Sequence, residues 1–134
     1  MAKYQEEKHI WIDFDGVLHS YTSGWQGADI IPDPPVVDPV TGRDAIQWLT
    51  SLLQSGHFVV HIWSRRAIDT RSGGIGAMRV WLQKHGLDVR YLKRVKFETG
   101  KPDAFVFIDD RSMPFTGEFP DPLEIKQFKP WWGR

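Results

Sequence analysis

The chain has 134 residues, 41% hydrophobic and 25% charged, with a formal net charge of zero. That composition suits one folded domain spanning residues 1–134, and it excludes a wholly disordered chain and a second domain of any size. Zero net charge argues against a protein that works by coating nucleic acid, and the absence of cysteine removes disulfides, thiolate metal sites and cysteine nucleophiles together.

In chain order, residues 1–8 carry two acids and no apolar run, so they do not read as a signal peptide. No stretch approaches the roughly 20 apolar residues of a membrane span. A cytoplasmic protein with no membrane partner is therefore expected. Residues 9–14 (HIWIDF) form a short apolar run ending in acids and a glycine, the pattern of a buried parallel strand feeding a loop. Prolines and glycines across 16–41 exclude a long helix; a tight turn, a hairpin near Gly24 and an extended return are expected, with a small flap over 17–31. Ala45, Ile46, Leu49, Leu52 and Leu53 recur at helical spacing, and Gly56 suits the helix end. Residues 58–63 (FVVHIW) give a second buried strand. Ser72 is a candidate cap for a helix with Ile75, Met78, Trp81, Leu82 and His85 inward, stopped by Gly86. Residues 89–92 read as a third, shorter strand and 104–108 (AFVFI) as a fourth. In the tail, 112–134, Asp121 and Pro122 open a last helix.

Helices between apolar strands imply an α/β fold with a parallel sheet covered on both faces, a three-layer α/β/α Rossmann-like arrangement without a large cap domain. Ligands of such sheets collect beyond the carboxyl ends of the strands. Three of the four expected strands end in groups suited to phosphate: Asp13-Phe14-Asp15-Gly16, Ser64-Arg65-Arg66 and Asp109-Asp110-Arg111. Four carboxylates gathered there repel one another unless a cation lies among them, and oxygen donors without His or Cys select magnesium over zinc. Asp13 and Asp15, two apart, share a side of an extended strand; one can bind metal and attack phosphorus while the other handles a proton.

At these residues the chain resembles the haloacid dehalogenase superfamily, chiefly its phosphatases. The first motif of that family appears as Asp13-Phe14-Asp15-Gly16, the second as Ser64, and the fourth as Asp109-Asp110. The resemblance spans 10–111 and reaches to small phage and bacterial members and to the phosphatase half of polynucleotide kinase-phosphatases. It implies Asp13 as nucleophile, Asp15 as general acid and then base, and Ser64 as a donor to phosphoryl oxygens. The motif lysine would be Lys101, in preference to Lys96. It further implies Mg2+ held by Asp13, the backbone carbonyl of Asp15, and Asp109 and Asp110, with Asp110 preferred as the direct ligand.

Arg65, Arg66 and Arg111 are candidates to grip substrate phosphate by bidentate contacts, each with an alternative as a structural ion-pair partner. His61 reads as a core histidine, His19 as structural, Trp25 as packed, and residues 73–76 as a flexible lead into a helix. The expected substrate is a phosphorylated small molecule, or alternatively a nucleotide or a nucleic-acid 3′ end. A receiver-like module phosphorylated on aspartate is the rival outside enzymology. Trp131 and Trp132 are candidates for a homodimer contact.

Overall fold

The computed structural model describes residues 8–68, 70–100, 105–114 and 116–133. Its centre is an all-parallel sheet of β1 (Lys8–Asp13), β2 (Phe58–Trp63), β3 (Lys96–Glu98) and β4 (Val106–Ile108), in the order β3-β2-β1-β4. Helix α1 (Ala45–Ser55) joins β1 to β2, and α2 (Gly74–Lys84) with the single turn α3 (Val89–Leu92) joins β2 to β3. A short α4 (Pro122–Lys126) lies in the tail. No helix among the described residues is long and apolar enough to cross a membrane.

The helices start where side chains satisfy free backbone donors. Asp44 accepts from the Gln47 N–H at 2.8 Å while the Gln47 side chain accepts from the Asp44 N–H at 2.9 Å, a reciprocal cap for α1. Gly56 ends that helix in the left-handed region at φ 71°. The stripe Ala45, Ile46, Leu49 and Leu53 is buried and meets Ile10, Ile12, Val60 and Ile62 in one core with Met78 and Leu82 of α2. Burying those aliphatic side chains is the main favourable term, about 1.5–3 kcal/mol each.

From β1 the chain steps to β2 and then β3 in one direction, so right-handed crossovers put α1 and α2 on the same face. It then jumps back past β1 to β4. After β3, the helices of the described residues are only the five-residue α4 and a 3-10 turn at Trp131–Gly133, so a second helical layer is not seen among them. The reversal of strand order at β1 makes its carboxyl end the switch point where a crevice opens.

Two local expectations are corrected. Residues 89–92 are a helical turn rather than a strand, because the Asp88 side chain accepts from the Arg90 N–H at 2.8 Å, and this cap overrides the β preference of Val89 and Tyr91. The third strand falls instead at Lys96–Glu98, in register with His61–Trp63. Helix α2 is preceded by Gly73 at φ 75° with no side-chain cap, so Ser72 does not cap it. Gly74 follows because a methyl group there would collide with the Arg66 carbonyl.

The segment between β1 and α1 has no helix. Its two limbs lie antiparallel, with Ser20 N–H donating to Pro34 O and Val36 N–H to Leu18 O, both at 2.9 Å. A turn closes at Gly24 N–H to Tyr21 O, 3.1 Å, with Tyr21 itself at φ 63°.

Candidate active site

Asp13 ends β1 opposite Trp63 of β2, and Ile12 pairs with Ile108 of β4. Ser64 and the Asp109-Asp110 pair therefore emerge on either side of Asp13. One carboxylate oxygen from each of Asp13, Asp109 and Asp110 lies within 4.8 Å of the others. Asp13 Oδ1 accepts from the Phe14 N–H at 2.8 Å, Asp109 Oδ1 from the Arg111 N–H at 2.9 Å, and Asp110 Oδ2 from the Trp132 indole at 2.7 Å. Asp110 Oδ1 is buried and receives no N–H or hydroxyl donor from the described residues.

The electrostatics follow from that crowding. Burial, then a hydrogen bond with Asp110 and the nearby Asp109 charge, push the Asp13 carboxyl up to about 9. For Asp110 burial acts in the same upward direction, but hydrogen bonds from protonated Asp13 and from Trp132 outweigh it and hold the group below its ordinary value. Without a cation, then, the crowding of the three acids favours a proton on Asp13. A cluster of oxygen donors with one buried, unpartnered oxygen is chemically suited to a hard divalent cation.

Asp15 sits in a different frame. The Arg66 Nε–H donates to both its oxygens, at 3.1 and 2.9 Å, and His19 Nδ1 lies 2.8 Å from Oδ1. The backbone N–H of Asp33 donates to His19 Nε2 at 3.1 Å. That nitrogen is therefore the acceptor, and the ring proton is on Nδ1, directed at Asp15. Arg66 Nη1 donates to the carbonyls of Gly27, Ala28 and Ile30 at 2.8, 3.0 and 3.1 Å. The flap is thus tied to Asp15 through Arg66. The segment just after the flap is tied to α2 through the Trp81 indole, which donates to Asp33 O at 3.0 Å. The Asp33 carboxylate is buried, which would raise it, yet it lies below its ordinary value because the Ser23 hydroxyl and N–H both donate to it.

A cleft of about 270 Å3 is lined by Asp13, Asp15, Ser64, Asp109 and Asp110, with Arg65, Arg111, Tyr21, Trp25 and Trp63 around them. Arg65 lies over the Trp25 ring at 4.2 Å. Ser64 is buried and its hydroxyl oxygen accepts from the Arg66 N–H at 3.1 Å, starting the 3-10 turn Arg65–Ala67. Seven of the residues expected at the site from sequence, Asp13, Asp15, Ser64, Arg65, Asp109, Asp110 and Arg111, converge in this way. Arg66 does not line the cleft: it is fully buried, with Nε on Asp15 and Nη1 on the flap, so it is not placed to grip a substrate phosphate. Lys96 begins β3 and borders a separate depression with His9, Gly56 and Phe58. Lys101 lies outside the described residues. His61 is satisfied at both ring nitrogens, by Glu98 and His9 at 2.8 Å each.

Sequence reasoning placed His19 just beyond the first motif, within reach of the pocket, and favoured a structural role for it; it missed Asp33 and Trp132 as contributors to this site, and neither had a signal there. Compared with known protein families, with curated proteins and with solved structures, the chain matches none.

Proposed function

We propose that the chain is a magnesium-dependent phosphomonoester hydrolase of the haloacid dehalogenase type, working through an aspartyl-phosphate on Asp13. The observation that carries this reading is the convergence of Asp13, Asp109 and Asp110 within 4.8 Å at the switch point, with a buried oxygen on Asp110 that has no N–H or hydroxyl donor among the described residues. Bound magnesium would supply neutralisation of the three carboxylates and of the phosphate oxygens. Arg65 and Arg111, which line the cleft, grip the phosphate, and Ser64, whose hydroxyl oxygen accepts from the Arg66 N–H, still has its O–H to donate to a phosphoryl oxygen. Lys101, assigned by the sequence resemblance alone, adds the remaining positive charge.

An Asp13 oxygen attacks phosphorus as the ester oxygen departs, and Asp15, which enters the cycle protonated, gives that oxygen its proton, so the alcohol leaves neutral. Asp15 then takes a proton from water, whose oxygen attacks the aspartyl-phosphate and releases inorganic phosphate with Asp13 restored. Arg66 and His19 keep Asp15 in one orientation for both transfers. The test is phosphate release from an aryl phosphate with and without magnesium. Wild type should turn over only with the metal, and Asp13→Asn should lose activity by about 1,000-fold or more, as expected when a covalent nucleophile is removed. Equal rates for the two proteins would end this reading.

Among phosphomonoesters, the aromatic rim of Tyr21, Trp25 and Trp63 beside two arginines favours those with a planar ring near the phosphate, nucleotides included. A phospho-aspartate that persisted for hours instead of turning over would favour the receiver-like alternative.

A further inference from the structure

We propose that the C-terminal Trp131-Trp132 pair is a clasp joining the two carboxylate loops, and that Trp132 positions Asp110 to present its other oxygen to the metal. The inference rests on the phosphatase reading above. Each indole has a single N–H, and both are used at the site: Trp132 Nε1–H donates to Asp110 Oδ2 and Trp131 Nε1–H to Gly16 O, each at 2.7 Å. Two adjacent residues near the end of the chain thus hold the loop after β1 and the loop after β4 in fixed relation.

The surroundings are built to receive them. Gly16 is bare where loop and tail meet, because a methyl group there would strike the Asp110 carboxylate and crowd the Trp132 indole nitrogen. The Tyr21 ring stands edge-on to Trp132 at 6.4 Å and to His19 at 6.0 Å. Tyr21 is held in the left-handed region at φ 63°, the one non-glycine residue there among those described, a conformation that persists only where the surroundings enforce it. Arg111 lies over the Trp132 ring at 5.6 Å. The indole bond occupies Oδ2 of Asp110 from behind and leaves Oδ1, buried and without a donor among the described residues. That is how an outer group orients a ligating carboxylate. A plain sticky patch would explain the exposure of Trp131 and Trp132, 51% and 41%, but not two indole bonds directed at the loops of one site.

The experiment compares wild type, Trp132→Phe and Trp132→Ala. Three readouts are taken: magnesium affinity by calorimetry, turnover of an aryl phosphate, and solvent exchange of the indole N–H by NMR. The Trp132 indole N–H, identified by its absence in Trp132→Phe, should exchange slowly in wild type and quickly in Asp110→Ala. Trp132→Phe keeps the ring and loses only the donor. It should weaken magnesium binding by about 10-fold, the usual effect of removing an orienting group behind a ligand, with KM for the ester at saturating metal little changed. Trp132→Ala should lose at least as much.

Fast indole exchange in wild type would overturn the clasp whatever the activity. Unaltered magnesium affinity in Trp132→Phe, with or without lost thermal stability, would overturn the positioning role and leave packing alone. A wild-type protein that protects the indole but neither binds magnesium nor releases phosphate would instead sink the phosphatase reading, and the positioning role with it.

Discussion

Asp13 and Asp15 stand two residues apart and in opposite electrostatic settings. Asp15 faces a buried arginine and an imidazole N–H, whereas the described groups that act most on Asp13 are two acids and a backbone N–H. The consequence for Asp13 can be measured without any substrate. Its folded value, about 9, lies above the ordinary 3.8 that the unfolded chain retains. Between those values the native state binds the extra proton, so its contribution to stability is complete below the lower value and is lost as pH rises through the upper one. Metal-free protein should therefore lose stability steadily from mildly acid to alkaline pH. Asp13→Asn, which is neutral at every pH, should flatten that decline and melt several degrees higher than wild type at about pH 8, each ~1 kcal/mol being worth roughly 3–5 °C in a chain of this size. Thermal melts in chelator across this pH range check it; a variant less stable than wild type at alkaline pH would contradict the electrostatic account. Which acids gather was legible in the sequence, because parallel strands put their carboxyl ends side by side. Which acid meets which base was not. Arg66 reaches Asp15 across 51 positions, and nothing local to Ser64-Arg65-Arg66 distinguishes the arginine that turns inward from the one that faces the cleft.

At the scale of elements, α2 shows why composition misleads. Gly74 and Gly76 both weaken a helix on propensity, by about 1 kcal/mol relative to alanine, yet their surroundings differ. A methyl group on Gly74 collides with the Arg66 carbonyl, while one on Gly76 meets nothing within 4 Å. Gly76→Ala should therefore be neutral or stabilising by roughly 0.5–1 kcal/mol. Gly74→Ala should cost about 1–3 kcal/mol through overpacking, and it should lower activity as well, since the displaced backbone carries the arginine that orients Asp15. Denaturant melts of the two variants provide the check, and equal effects would show that α2 does not abut the Arg66 turn. The strands β1 and β2 and the helix α1 were readable from periodicity and caps, and Gly56 ended α1 where expected. Residues 89–92 were not, because a run of four with two β-favouring residues carries less weight than one aspartate cap at Asp88. The short β3 gave no signal: Lys96–Glu98 alternates around a single Phe97 and is held by its pairing with β2.

At the scale of the whole molecule, the site gathers the first strand, the flap, the loops after β2 and β4, and the C-terminal indoles. Asp13 is far in sequence from Asp109 and Asp110, so a cation bound among them links the ends of β1 and β4 and has no equivalent site in the unfolded chain. Binding to the native state alone stabilises by RT ln(1 + [L]/Kd). At about 10 mM magnesium and a Kd near 1 mM that is roughly 1.4 kcal/mol, or about 4–7 °C. The pH dependence separates specific binding from general screening. Magnesium must displace the proton from Asp13, so its stabilising effect should grow as pH rises toward the Asp13 value of about 9, opposite in sign to the metal-free trend. Sodium chloride at matched ionic strength screens the carboxylates without entering the cluster and should give a smaller shift with no such growth. In Asp13→Asn, which has no proton to displace, the magnesium shift should be reduced and nearly independent of pH. A magnesium shift equal to that of sodium, or one that shrinks with rising pH, would mean that Asp13, Asp109 and Asp110 do not act together as a cation site.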